Sequence, residues 1–188
     1  DVIISDWATG PELLISTKRM DSSYGKNAPN RIEESYGDVK NLRLRHPLAA
    51  LGFVFGLRSD ILTKEPATAE WLFDLLIKLG QEDDAYNATA LILMQYSGGV
   101  EIIDDGDADT ADVVGETSIE FCEEDDGANL STIGPDLNGR IEKLPKVELL
   151  LAQTPDMLNP GRFLAAVVER VLSSTPVTMH GEARKRRA

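Results

Sequence analysis

Apolar and polar positions alternate with two different periods along this chain, and the switches between them mark its elements. Two apolar runs open it, "VIISDW" and "ELLISTKRM", separated by "ATGP"; they read as two strands around a turn. Alternate side chains of a strand share a face, so Glu12, Leu14, Ser16 and Lys18 point one way, and Leu13, Ile15 and Thr17 the other. Residues 21–45 are polar, and a loop followed by a short helix from about Asn30 is expected there. "HPLAALGFVFGLRSDIL" carries Leu48, Leu51, Phe55 and Leu62 at helical spacing behind Pro47, which predicts a second helix. Gly52 and Gly56 weaken it by roughly 1 kcal/mol each, or else admit a close backbone neighbour.

"EPATAEWLFDLLIKLG" is a clearer helix. Pro66 stands near its start, Trp71, Leu72, Leu75, Leu76 and Leu79 form a stripe, and Gly80 supplies a stop. "ATALILMQYS" reads as a buried strand and "EKLPKVELLLAQ" as another. "NPGRFLAAVVERVLSS" is an amphipathic helix expected to bury Phe163, Leu164, Val167, Val168, Val171 and Leu172. Residues 98–135 are acidic and Gly-rich, expected as a loop or insertion with one strand near "TSIEFC". The mixed order of strands and helices predicts an α/β class: one domain over 1–188, a central mixed β-sheet flanked by helices, an acidic insertion at about 98–135 and a basic tail at about 182–188. No internal repeat is present.

Composition refines this picture. The 188 residues, 42% of them hydrophobic, suffice for a real core, and no apolar run is long enough to span a membrane. "DVIISDWATG" has no basic segment ahead of an apolar one, so a signal peptide is not expected. The single cysteine, Cys122, cannot form an internal disulfide, and the cytoplasm is the expected setting. A net charge of −13 argues against a nucleic-acid partner, but the charge is segregated. Residues 1–60 hold eight Lys/Arg against eight Asp/Glu, whereas 82–126 hold fifteen acids and no Lys or Arg. The total therefore says little about any one face.

Candidate chemistry begins at Lys18, a lysine at the end of an apolar strand. Asp6 ends the preceding strand, and a hairpin is expected to bring it near Ser16 and Lys18; "RIEES" puts Glu33 and Glu34 on a helix beyond. A carboxylate pair beside a lysine at a sheet edge is what metal-assisted phosphodiester cleavage requires. Mg²⁺ takes carboxylate oxygens and keeps several waters, neutralises developing phosphate charge and acidifies a bound water. Read alone, Lys18 is better taken as a strand end whose ammonium reaches water, and Glu33 and Glu34 also fit solvated helix charges; the coincidence of Asp6, S-x-K and the helix acids shifts the balance toward chemistry.

"D…GPELLISTK…EE" resembles the PD-(D/E)XK nuclease superfamily, the fold of many restriction endonucleases, over roughly residues 1–62. That motif pairs an Asp on one strand with (D/E)-x-K on the next. Here the middle position is Ser16, as in the subset with S-x-K on the strand and the glutamate supplied by the following helix. The resemblance implies a metal-dependent DNA endonuclease of restriction or phage-defence type, with Asp6, Ser16, Lys18, Glu33 and Glu34 as its catalytic set. Asp6, Glu33 and Glu34 would ligate Mg²⁺, with Mn²⁺ a possible substitute. In the S-x-K subset the Asp lies much further upstream than Asp6 does here. DNA is the implied partner, with Arg19, Lys26, Asn27, Arg31, Arg43 and Arg45 as phosphate contacts. A homodimer or larger defence complex is also possible. Basic side chains of this kind, Lys40 included, are as often ordinary surface charge.

Competing readings are a non-catalytic nuclease-fold module that binds DNA or a protein through the acidic insertion, and an acidic inhibitor or assembly protein. "DGDADTADVVGE" places acids at positions 1, 3, 5 and 12 of a calcium-type loop, but Thr110 and Asp112 break the pattern, and a solvated acidic loop is favoured. That segment is also a candidate DNA mimic. His46 and His180 lack partner cysteines for zinc, Cys122 beside Glu123 and Glu124 is a poor nucleophile, and neither a P-loop nor a G-x-S-x-G elbow occurs.

Overall fold

The computed structural model describes residues 1–97 and 146–187. They form an α/β fold around a five-stranded mixed sheet, ordered β1 (Val2–Asp6), β2 (Gly10–Met20), β3 (Ala50–Arg58), β4 (Ala88–Ser97) and β5 (Lys146–Leu149). The middle three strands are parallel, and each edge strand joins antiparallel. Helix α1 (Tyr24–Arg45) connects β2 to β3. The short α2 (Ile61–Lys64) and α3 (Pro66–Leu79) connect β3 to β4, and α4 (Pro160–Ser174) and α5 (Gly181–Arg187) follow β5. The acidic segment expected at 98–135 lies outside the described residues, and so does the strand expected near "TSIEFC".

The run containing Leu51 and Phe55 is a strand, not the helix its spacing predicts. A parallel strand covered on both faces is apolar at nearly every position, so a helical spacing can be picked out of it by chance. Leu48, one of the four residues of the predicted helix face, is 70% exposed. The large side chains of β3, Leu51, Phe53, Phe55 and Leu57, pack with Leu14, Leu91 and Leu93 against α1 and α3. The other face carries Ala50, Gly52, Val54 and Gly56, and Ala50 and Val54 join Leu13, Ala88 and Ala90 beneath Phe163 and Val167 of α4. Burying Phe163 there contributes about 2–3 kcal/mol.

Helix α1 starts at Tyr24, earlier than its polar sequence suggests, because Tyr24, Ala28, Ile32 and Val39 share one buried face. The Tyr24 hydroxyl bonds the Asp60 carboxylate, tying the start of α1 to the end of β3. Helix α3 and strands β1, β2 and β4 stand where the sequence places them, while β5 is only four residues long, with Val147 and Leu149 about half exposed. In α4, Phe163 and Val167 are buried, but Leu164 and Val168 are exposed, so the apolar face in contact is narrower than expected. Asn159 caps α4 by accepting from the Gly161 N–H (2.8 Å). At its other end Arg184 of α5 donates to the carbonyls of Leu172 (2.7 Å) and Thr175 (3.0 Å). The basic tail is thus a short helix with one arginine spent on capping.

A Cβ added at Gly52 would lie 2.6 Å from Phe163 Cζ. Gly52→Ala is therefore expected to destabilise the protein by about 1–3 kcal/mol in urea unfolding, and Phe163→Leu in the same chain to recover part of that loss. A neutral Gly52→Ala would contradict the packing of α4 on β3.

Candidate active site

Lys18 sits near the carboxyl end of β2, beneath α1. Its ammonium lies 3.3 Å from Glu34 Oε2 and 3.5 Å from Asp38 Oδ2, two carboxylates one turn apart on that helix. Arg31, one turn before Glu34, holds the same Glu34 oxygen at 3.0 Å. Burial alone would raise the Glu34 pKa, but the bonds and charges of Arg31 and Lys18 outweigh it and hold the carboxyl below its ordinary value. Lys18 is thus enclosed by acids and does not simply reach into water.

Ser16, two residues back on the same face, is buried, and its hydroxyl bonds that of Tyr86. Burial pushes Tyr86 up to about 12, so it stays protonated, and it donates to the Ser35 carbonyl (3.2 Å). This chain of bonds fixes α1 above β2 at the level where Glu34 and Asp38 meet Lys18.

Asp6 is not part of this cluster. The antiparallel register sets Asp6 opposite Gly10, eight residues along β2 from Lys18, a separation of about 26 Å at strand rise. Its carboxylate instead accepts from the Ala8 N–H (2.8 Å) inside the turn. The same register pairs Val2 with Ile15, which brings Asp1 beside Ser16, and Asp1 Oδ1 accepts from the Thr17 N–H (2.9 Å). Asp1, the residue just before β1, is therefore the carboxylate that the register brings to this end of β2, where it is bonded to Thr17. Glu33 is exposed and forms no ion pair among the described residues; Asp38 takes the place beside Glu34 that Glu33 was expected to hold. Both substitutes were accessible from sequence: Asp1 from the antiparallel pairing rule, Asp38 from its four-residue spacing to Glu34.

The expected phosphate contacts scatter. Arg31 belongs to the cluster, and Lys26 and Asn27 lie on the early turns of α1. Arg19 leaves β2 next to Lys18 and binds Asp21 (2.7 Å) and the Tyr96 hydroxyl (2.7 Å). Arg43 is turned into the fold, donating to the Ala85 carbonyl, and it stands nine residues, about 14 Å, along α1 from Glu34. Arg45 is exposed at that same distant end.

Among the described residues, no three Asp, Glu, His or Cys side chains gather closely enough to hold a metal ion by themselves. No described helix is long and apolar enough to cross a membrane. No family model, no curated protein and no solved structure matches the chain.

The lowered Glu34 pKa stabilises the fold above the ordinary carboxylate range, and that contribution is lost as pH falls through the folded-state value. In Lys18→Met, the Glu34 carboxyl is expected to titrate at higher pH in a carbon-detected NMR titration. An unmoved midpoint would show that the ion pair does not persist in solution.

Proposed function

We propose that the chain is a metal-dependent DNA endonuclease of restriction or phage-defence type with a restriction-endonuclease-like fold. The observation that carries this reading is the meeting of Lys18, on the S-x-K strand, with Glu34 of the following helix at 3.3 Å. The PD-(D/E)XK resemblance asks for that juxtaposition. The hairpin ahead of the motif and the parallel strands beside it are also consistent with such a fold.

The donor chemistry fits Mg²⁺. Glu34 and Asp38 converge on one cationic point, and Mg²⁺ is commonly bound by one or two carboxylates, with waters and substrate phosphates completing its shell. In this reading Glu34 and Asp38 hold the ion, with waters and a substrate phosphate completing its shell. When bound, Mg²⁺ neutralises phosphate charge and acidifies a water. Lys18 supplies a fixed ammonium to a non-bridging phosphate oxygen or to the attacking water. Arg31 keeps Glu34 ionised and oriented, and Ser16 anchors the strand through Tyr86 without contributing charge.

One observation favours the non-catalytic module instead: Lys18 is already neutralised by two carboxylates, as a purely structural ion pair would be. Supercoiled plasmid incubated with Mg²⁺ or Mn²⁺ separates the two. The nuclease reading predicts nicking that Lys18→Ala and Glu34→Gln each slow by about 10²–10³ and that Asp6→Asn leaves unchanged. A folded chain that cuts neither modified nor unmodified DNA supports the binding module, and cleavage indifferent to Lys18 contradicts the assigned site.

A further inference from the structure

We propose that the cavity at the carboxyl ends of β3 and β4 holds a single phosphodiester group, with Arg58 as the cation that receives it. The source of that group, the backbone of a nucleic-acid strand, rests on the nuclease reading; the anion site itself does not. The cavity has a volume of about 370 Å³, at the lower end of the range for small-molecule sites, and Arg58, Ser59, Asp60, Thr63 and Tyr96 are among the residues that line it.

The charges in and beside the cavity do not balance. Lys64 and Arg58 face the same oxygen of Asp60, Lys64 Nζ at 2.9 Å and Arg58 Nε at 3.5 Å. The other Asp60 oxygen takes the Tyr24 hydroxyl. Burial alone would raise the Asp60 pKa, but Tyr24, Lys64 and Arg58 together hold the carboxyl below its ordinary value. It therefore sets one negative charge against two positive ones. Arg19 and Asp21, 2.7 Å apart, cancel each other. Glu148, opposite Gln95 on β5, is exposed and outside the lining. One positive charge is left over at the wall.

That surplus falls on Arg58. Lys64 is the cation that bonds Asp60, whereas Arg58 acts on it only through space and makes no hydrogen bond among the described residues. Its other neighbour, the Tyr96 ring centred 5.8 Å away, attracts a cation but supplies no oxygen to its N–H groups. Yet the Arg58 side chain is only 22% exposed. A guanidinium so far withdrawn from water needs acceptors, and the cavity it lines is where they can enter. A phosphodiester brings one negative charge and two free oxygens, matching both the surplus and the guanidinium fork. A dianionic group would exceed the surplus and be repelled by Asp60.

Strands β2 and β3 are parallel, so the cavity lies at the same end of the sheet as Lys18. Lys18 pairs with Phe55, and Arg58 follows three residues later, about 10 Å further along the strand direction. Alternation sets Arg58 on the α4 face and Lys18 on the α1 face. The cavity is thus a second contact, which a strand crossing the carboxyl edge of the sheet would meet after Lys18.

The test follows the Arg58 Nε–H signal by NMR in the full chain, without metal. The ligands are a thymidine dinucleotide with one phosphodiester, its uncharged methylphosphonate analogue, and acetate. We expect the dinucleotide to shift the signal saturably, and the analogue and equimolar acetate to leave it in place. Binding followed on the dinucleotide's own signals should vanish in Arg58→Met. It should weaken about three- to tenfold in Lys64→Met, which frees Asp60 to neutralise Arg58, and tighten by a similar factor in Asp60→Asn. Lys64 is exposed and outside the lining, so its variant carries the test should Asp60→Asn fail to fold. The site is overturned if the uncharged analogue or acetate moves Arg58 equally, if the dinucleotide leaves its signal unmoved, or if Lys64→Met binds as before. Dinucleotide binding without plasmid cleavage would sink the nuclease reading and leave the anion site standing; cleavage without it would do the reverse.

Discussion

Strand β3 carries four large side chains on one face and two glycines, an alanine and a valine on the other, and both faces are covered. That asymmetry organises the described fold. The large face needs a thick apolar cover, which α1 and α3 supply together. The small face lets α4 approach until the Phe163 ring occupies the space a Cβ of residue 52 would take. Because α1 must reach from the end of β2 to the start of β3 while covering that large face, it passes directly over Lys18. The ion cluster is thus a consequence of how the core is packed.

Electrostatics alone give little reason for that cluster to exist. Lys18, Glu34 and Asp38 are all partly exposed, and pairs of that kind contribute about 0–1 kcal/mol each. The core beneath, from Leu14 to Val39, holds the elements together without them. A group of charges that is inexpensive to rearrange yet held at a fixed point between strand and helix is well placed to exchange partners with a ligand. Arg31 holds the same Glu34 oxygen as Lys18, so the carboxylate keeps a cationic partner through such an exchange.

Much of this was legible in the sequence, and the failures have physical causes. β1, β2, α3 and β4 announce themselves by period, by turn residues and by Pro66 and Gly80. β3 does not, because a strand buried on both faces loses the alternation that identifies strands, and its apolar residues include a set at helical spacing by chance. The first turns of α1 look like loop because Ser22, Ser23, Gly25 and Pro29 are poor helix residues; burial of Tyr24 and Ala28 overrides them. Lys18, Ser16 and the helix acids Glu33 and Glu34 stand out through the S-x-K resemblance, and the structure brings Lys18, Ser16 and Glu34 to one end of β2 while Glu33 stays exposed. Asp6 was chosen for proximity in sequence to the strand that follows. In a hairpin, however, the residue nearest the turn pairs with the residue nearest the turn, and it is the far end of β1, at Asp1, that meets the far end of β2.

The central claim is that the carboxylates gathered at Lys18 form a divalent-cation site, and Mn²⁺-induced paramagnetic broadening of backbone amide signals tests it most directly. The account predicts that substoichiometric Mn²⁺ broadens the signals of Ser16 to Lys18 and Glu34 to Asp38 first, leaves Asp6 and Gly10 sharp, and loses this selectivity in a Glu34→Gln/Asp38→Asn variant. Broadening confined to other acids, with the Lys18 end of β2 untouched, would contradict it.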